Sequence, residues 1–108
     1  MEDRIGRDER ELVRGNFQAA TTTLTMDVWD LVVHANSTAG AFTITLPSVS
    51  KARGKIYTIT LETDNGDVTV TDAGDDTIFT DMVMTAVDDC CVLFSNGIRW
   101  FPLLDVTT

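Results

Sequence analysis

Residues 41–62 read AFTITLPSVSKARGKIYTITLE, and the alternation within them decides the fold class. Phe42, Ile44 and Leu46 fall on one side of an extended chain, with Thr43 and Thr45 on the other. Ile56, Thr58 and Thr60 alternate in the same way with Tyr57, Ile59 and Leu61. Successive side chains of a strand point to opposite faces, so a period of two marks a half-buried strand. Pro47 has no N–H to give a ladder and stops the first strand. The connector SVSKAR suits one helical turn, and Gly54 supplies the left-handed residue that ends it.

Towards the C-terminus the pattern continues. Residues 64–67, DNGD, carry a hairpin signal, and residues 68–71 form the return strand. Residues 71–77, TDAGDDT, form a second tight turn, with short strands expected at 77–80 and 82–87. Asp88 and Asp89 turn the chain again. Residues 90–95 and 98–103 flank Asn96-Gly97, the strongest two-residue hairpin signal in the sequence. Trp100 is large enough to anchor a core, and Pro102 places the end of its strand on a sheet edge. Towards the N-terminus, residues 36–40, NSTAG, are turn chemistry. Residues 22–26 and 28–35 read as strands that change face near Asp27, through a bulge or a turn. Trp29 and Trp100 both read as strand residues.

A chain of 108 residues is one domain, with 44% hydrophobic residues and the heavy use of Thr that fits a pleated surface. The net charge of −9 repels phosphates, and no basic patch is interleaved with aromatics. Nucleic acid and anionic membranes are therefore not expected partners. No apolar run approaches the about 18 residues of a membrane span, and the charged first residues lack a signal-peptide core, so synthesis in the cytoplasm is expected. Cys90 and Cys91 are adjacent and point to opposite faces of a strand, which argues against a disulfide between them. One reads as core, the other as facing a second sheet or a subunit. With His34 the single histidine, no zinc site of usual spacing can be written. The Asp, Asn and Gly residues of 64–76 do not match the twelve-residue calcium loop. No metal or cofactor is expected.

These signals add up to an all-β fold, a small antiparallel β-sandwich or barrel of roughly seven to nine short strands spanning residues 17–108. A charged N-terminal arm, residues 1–16, precedes it. Arg4, Arg7, Arg10 and Arg14 alternate there with Glu2, Asp3, Asp8, Glu9 and Glu11, and the large apolar residues are too few to fix the segment onto its own domain. It reads as a free tail or as an arm that lies on a partner, with Asp3 and Gly15 placed to bound a short helix. Residues 30–35 and 90–94 are apolar on both faces. A second packing surface is implied, and another subunit is its simplest source. Lys51, Arg53 and Lys55 stand together on an otherwise acidic domain and suit a contact with an acidic neighbour, such as the Asp-rich loops of another copy.

The order of a strand ending in Leu46-Pro47, a connector with Gly54, Lys55-Ile56-Tyr57 opening the next strand, the DNGDVTV turn, and Asn96-Gly97 before an aromatic strand at Trp100 resembles a small β-domain of tailed-bacteriophage virion proteins. Such domains occur in capsid decoration proteins, head fibres and tail-fibre tips, and the resemblance covers residues 35–104. It implies a structural protein without catalysis, commonly a homotrimer. A chain with no coiled-coil heptads or collagen-like repeat and with a charged arm suits a capsid decoration (cement) protein on the virion surface, whose partners are the major capsid protein and itself. Arg4, Arg7, Arg10, Leu12 and Phe17 are the expected shell contact, and Lys51, Arg53 and Lys55 the expected subunit contact. The alternative is a receptor-binding tip of a tail fibre, which predicts exposed aromatics at loop ends. An enzyme is not expected, because the carboxylates fall in turn clusters and no nucleophile, base or phosphate loop accompanies them.

Overall fold

The computed structural model describes residues 17–107, which form nine strands in two sheets and no helix. The strands are β1 (Phe17–Ala20), β2 (Leu24–Thr25), β3 (Val32–Asn36), β4 (Phe42–Thr45), β5 (Ile56–Thr63), β6 (Val68–Thr71), β7 (Met82–Met84), β8 (Cys90–Ser95) and β9 (Trp100–Val106). One sheet has the order β1-β3-β5-β8-β9 and the other β2-β4-β6-β7. Neither sheet closes on itself, so the architecture is an open two-layer sandwich and not a barrel.

The expected antiparallel order holds only for the last third of the chain. β1, β3 and β5 pair in parallel, as do β2, β4 and β6. The chain crosses from one sheet to the other after each of its first five strands, so three successive pairs wind as three stacked coils. β7 then returns antiparallel to β6, and β8 and β9 add antiparallel strands beyond β5. The DNGD turn is therefore not a hairpin. It carries the chain from β5 across to β6, whose partner is β4, with Phe42 beside Val68 and Ile44 beside Val70.

The turns that cross between the sheets stack on one another, which explains this outcome. Asn65 donates its backbone N–H to Ser37 Oγ at 2.8 Å and its side-chain amide to Thr38 O at 2.9 Å. Ser37 in turn donates its N–H to Thr63 O. At Gly66, with φ of 152°, an added Cβ would lie 2.5 Å from Ala41 N, so only glycine lets the two turns approach this closely. These contacts stand in for the hairpin bonds that the dipeptide signal predicts.

Alternation survives the change of partner, because a strand buries the same face whether its neighbours run parallel or antiparallel. Phe42, Ile44, Val68, Val70, Met82 and Met84 face inwards from one sheet, and Val33, Tyr57, Ile59, Leu61, Cys91 and Leu93 from the other. They belong to one core. Each such side chain, fully buried, is worth roughly 1.5–3 kcal/mol. Trp100 closes the core beside Tyr57, edge to face at 5.5 Å.

Three further expectations change. Residues 26–31 leave the ladder, because Asp30 Oδ2 accepts the Asp27 N–H and Asp27 Oδ1 accepts the Val28 N–H; Trp29 thus lies in a loop, 41% exposed. Residues 77–80 form no strand, because Asp76 Oδ1 and the Asp76 carbonyl accept the N–H groups of Ile78 and Phe79. β7 stops at Met84, since Asp89 Oδ2 accepts from Thr85 and Ala86. In each case a carboxylate takes backbone donors that a ladder would otherwise hold. The connector after Pro47 is as expected: the Ala52 N–H reaches Ser48 O, and Gly54 has φ of 81°.

Candidate functional site

The outer face of the five-stranded sheet sets this molecule apart. Register aligns Phe17, Val32, Thr58, Val92 and Leu104 in one row across all five strands. A second row runs Ala19, His34, Thr60, Cys90 and Val106, and a third joins Ile56, Phe94 and Phe101. These residues are half-buried or exposed, Phe17 at 64% and Leu104 at 47%. No carboxylate, lysine or arginine stands within the three rows. Charge appears only at the ends: Arg99 lies over the Phe101 ring at 5.0 Å, and Glu62 follows on β5. Apart from Thr58, Thr60 and His34 the rows are apolar, and exposed apolar area of this extent is uncommon on a lone chain.

The two cysteines divide as the sequence implies. Cys91 is fully buried, and burial with the neighbouring Asp105 charge pushes its thiol up to about 12. Cys90 is half-exposed on the outer face. His34 sits in a row of that face with the Phe17 ring against it, edge to face at 4.8 Å.

Strand direction sorts the charges. Lys55 and Ile56 open β5 beside the turn of residues 96–99, as the Gly54 N–H to Ser95 O bond shows. β5 ends beside Asp88 and Asp89, where the Leu61 N–H donates to Asp89 O and the Asp88 N–H to Leu61 O. All four lysines and arginines among the described residues, Lys51, Arg53, Lys55 and Arg99, lie at the first end, together with several aspartates. The opposite end holds Glu62, Asp64, Asp67, Asp88, Asp89 and Asp105, with no lysine or arginine among the described residues.

The expected subunit-contact residues do cluster. Lys51 is exposed, the Arg53 stem packs on Gly97, and the Lys55 ammonium sits 4.7 Å from the centre of the Trp29 ring. Of the expected shell contacts, Phe17 is on the exposed sheet face, whereas Arg4, Arg7, Arg10 and Leu12 lie outside the described residues. Exposed Trp29, and Ile98 at 74% exposure on the tip of the β8–β9 hairpin, were not among the expected contacts. The expectation of a strand through Trp29 hid the first.

The aspartates of the loops act locally. Asp75 Oδ2 accepts from Ser48 Oγ and the Val49 N–H, and Asp72 Oδ2 from the Asp76 N–H. Asp76 is buried and accepts the Trp100 N–H at 2.7 Å as well as that of Ile78. Burial alone would raise its pKa, but these backbone donors and the Arg99 charge outweigh it and hold the carboxyl below the usual range. Among the described residues no three histidines, cysteines or carboxylates gather as a metal site. A cleft of about 290 Å³ opens between the free edges of β7 and β9, lined by Phe79, Met82, Arg99, Trp100 and Pro102 among others. Asp81, Asp105 and Arg99 supply its charged groups. No family model, curated protein or solved structure matches this chain.

Proposed function

We propose that the chain is a non-enzymatic structural protein that works by packing into a larger assembly, and that the assembly is a virion. In this reading it is a capsid decoration protein, bound to the major capsid protein and to copies of itself. The observation that carries the proposal is the uncovered apolar face of the five-stranded sheet, which a partner must cover for the chain to avoid non-specific association. The virion itself rests on the sequence resemblance described above, which also implies three copies.

The mechanism is mass action. A subunit that binds the assembled shell and not its dissociated parts stabilises the shell in proportion to its binding free energy. The sheet face and the arm would each contribute weakly and add through effective concentration. The test is to fractionate heads and tails from particles that carry the chain and to locate it by mass spectrometry. Presence on heads, lost when Arg4, Arg7 and Arg10 are replaced by Glu in the full chain, is the expected result; absence from heads overturns the placement.

The exposed Trp29 favours a second reading, the receptor-binding tip of a tail fibre. An aromatic at a loop end beside Lys55, with Ile98 on the neighbouring hairpin tip, is the kind of surface that reading predicts. It requires the chain to be found on tails and the purified protein to bind host cells, with Trp29→Ala weakening that binding.

A further inference from the structure

We propose that the cleft between β7 and β9 binds an extended peptide segment of a partner protein, which adds to β7 as a fifth strand of the four-stranded sheet. The inference is independent of what covers the outer face of the other sheet.

The two sheets are unequal at this place. The coils set β1 against β2, β3 against β4 and β5 against β6. β7 and β8 follow on the same side, and β9 then has no strand opposite it among the described residues. Its burial reflects this. Of the residues on its inward side Trp100 is buried, whereas Pro102 and Asp105 are exposed. The cleft lies along this uncovered part of β9, with Val83 of β7 on its other wall.

The two edges differ in what they offer. On β9 the Trp100 N–H is taken by Asp76 Oδ2 and Pro102 has no N–H, so this edge is blunted. β7 is not. The Phe42 and Leu46 N–H groups reach Asp67 O and Thr71 O, which turns the backbone groups of Val68 and Val70 away from β4 and towards β7. Met84 and Met82 are their partners, so the N–H and C=O of Val83, between them, point out from the sheet edge. Two more donors belong to residues that line the cleft. Trp100 Nε1 and Arg99 Nε are both buried with no acceptor among the described residues, and Trp100 is only 2% exposed. A buried donor without an acceptor is costly, and a peptide carbonyl supplies one.

A lone strand fits here where a second folded copy does not. Two β7 strands joined edge to edge about a two-fold axis would drive the β9 strands of the copies into each other, because β9 reaches one strand beyond β7 in the facing sheet. Successive side chains of an added strand alternate. Those turned inward meet Phe79, Met82 and Trp100 and must be apolar. Asp81 and Asp105 outnumber Arg99 in the cleft, on a chain of net charge −9, which favours lysine or arginine beside the apolar residues. Main-chain bonds to the edge then supply affinity, and the alternate side chains supply specificity.

The experiment is titration calorimetry of the full chain with short synthetic peptides that carry Val, Leu or Phe at every second position and Lys at the ends. Binding is expected to slow hydrogen exchange of the Val83 amide. N-methylation of alternate peptide residues is expected to abolish binding in one register and to spare it in the other. Val83→Pro is expected to melt as the wild type does and to lose the peptide. Trp100→Phe is expected to weaken binding by roughly 2- to 12-fold, the worth of one hydrogen bond. No binding by any peptide of the set, or equal effects of N-methylation in both registers, overturns strand addition. A two-chain mass of the full chain that Val83→Pro abolishes overturns the choice of occupant and puts a second copy at this edge.

Discussion

On the four-stranded sheet the residues that point to solvent are Thr25, Thr43, Thr45, Thr69, Thr71 and Val83; on the five-stranded sheet the corresponding positions include Phe17, Val32, Val92, Phe94, Phe101 and Leu104. Threonine is β-branched and fits a pleated strand, while its hydroxyl remains compatible with water. The chain uses this solution along one outer face, and on the other only at Thr58 and Thr60 of β5. The apolar residues of the other side are not a requirement of strand formation. Under the proposed assembly role, the two outer faces have different surroundings: water over the threonines, another surface over the apolar rows.

The contrast between the outer faces would lose its meaning if the sheets also differed inside. They share one core, so Ile44→Ala in β4 and Ile59→Ala in β5 should destabilise by similar amounts, about 2–5 kcal/mol each, because both side chains are fully buried and each leaves a cavity. Urea denaturation of both variants measures this. A cost near zero for either would mean that its sheet is not held by the shared core, and the difference between outer faces would lose its meaning.

Asp76 ties the two sheets together at their junction. It lies in the loop after β6 of one sheet and holds the N–H of Trp100, the first residue of β9 in the other. Asp76→Ala leaves buried backbone donors unpaired and should cost about 1–3 kcal/mol. Since its carboxyl is held below its ordinary value of 3.8, the unfolded state takes up the proton first as pH falls. The stability it contributes is complete above that ordinary value and is lost as pH drops towards the folded one. Denaturation midpoints between neutral pH and pH 3 should fall for the wild type more than for Asp76→Asn.

The alkaline side belongs to the five-stranded sheet alone. Burial, the largest cause in each, raises Tyr57 from 10.0 and Cys91 from 9.0, both to about 12; nearby carboxylates add to it. Neutral forms are favoured in the folded state, so their contribution is complete below the ordinary values and is lost as pH climbs from about 9 through about 12. Cys91→Ala should flatten part of that loss, and in the native protein a thiol reagent should modify Cys90 well before Cys91. Equal labelling rates would show that the inner face opens readily and is not the shared core described above.

The alternation of residues 42–46 and 56–61 made strands, inward faces and the Trp100 anchor legible, because burial depends on parity alone. Strand partners were not legible from turn dipeptides. Asn65-Gly66 sits in a turn of the chemistry that hairpins use, yet its bonds go to Ser37 and Thr38 of the preceding coil. A signal for part of the true pairing was present: FTIT at 42–45 and VTVT at 68–71 are separated by the same 26 positions as Val32 and Thr58, which is the register of the β4–β6 and β3–β5 pairs. The apolar face was visible in part, through the doubly apolar residues 30–35 and 90–94. The separation of charge between its ends was not, since it arises only when strand direction sets the 50s beside the 90s.

The smallest effect is the most direct test of what the two faces are for. Val92→Thr places on the five-stranded sheet the residue that the other sheet uses, and Thr45→Val does the reverse. Both positions are half-exposed with β-branched residues on either side of the exchange, so the monomer's stability should change by no more than about 0.5 kcal/mol in each variant. Association should separate them. Val92 stands in the middle of the apolar rows, where removing a methyl contact and adding a hydroxyl weakens any partner's hold, whereas Thr45 lies on a face already matched to water. If Thr45→Val disturbs association as much as Val92→Thr does, the threonine face is also covered in the assembly, and the contrast between the sheets reflects two kinds of contact instead of one contact and one solvent surface.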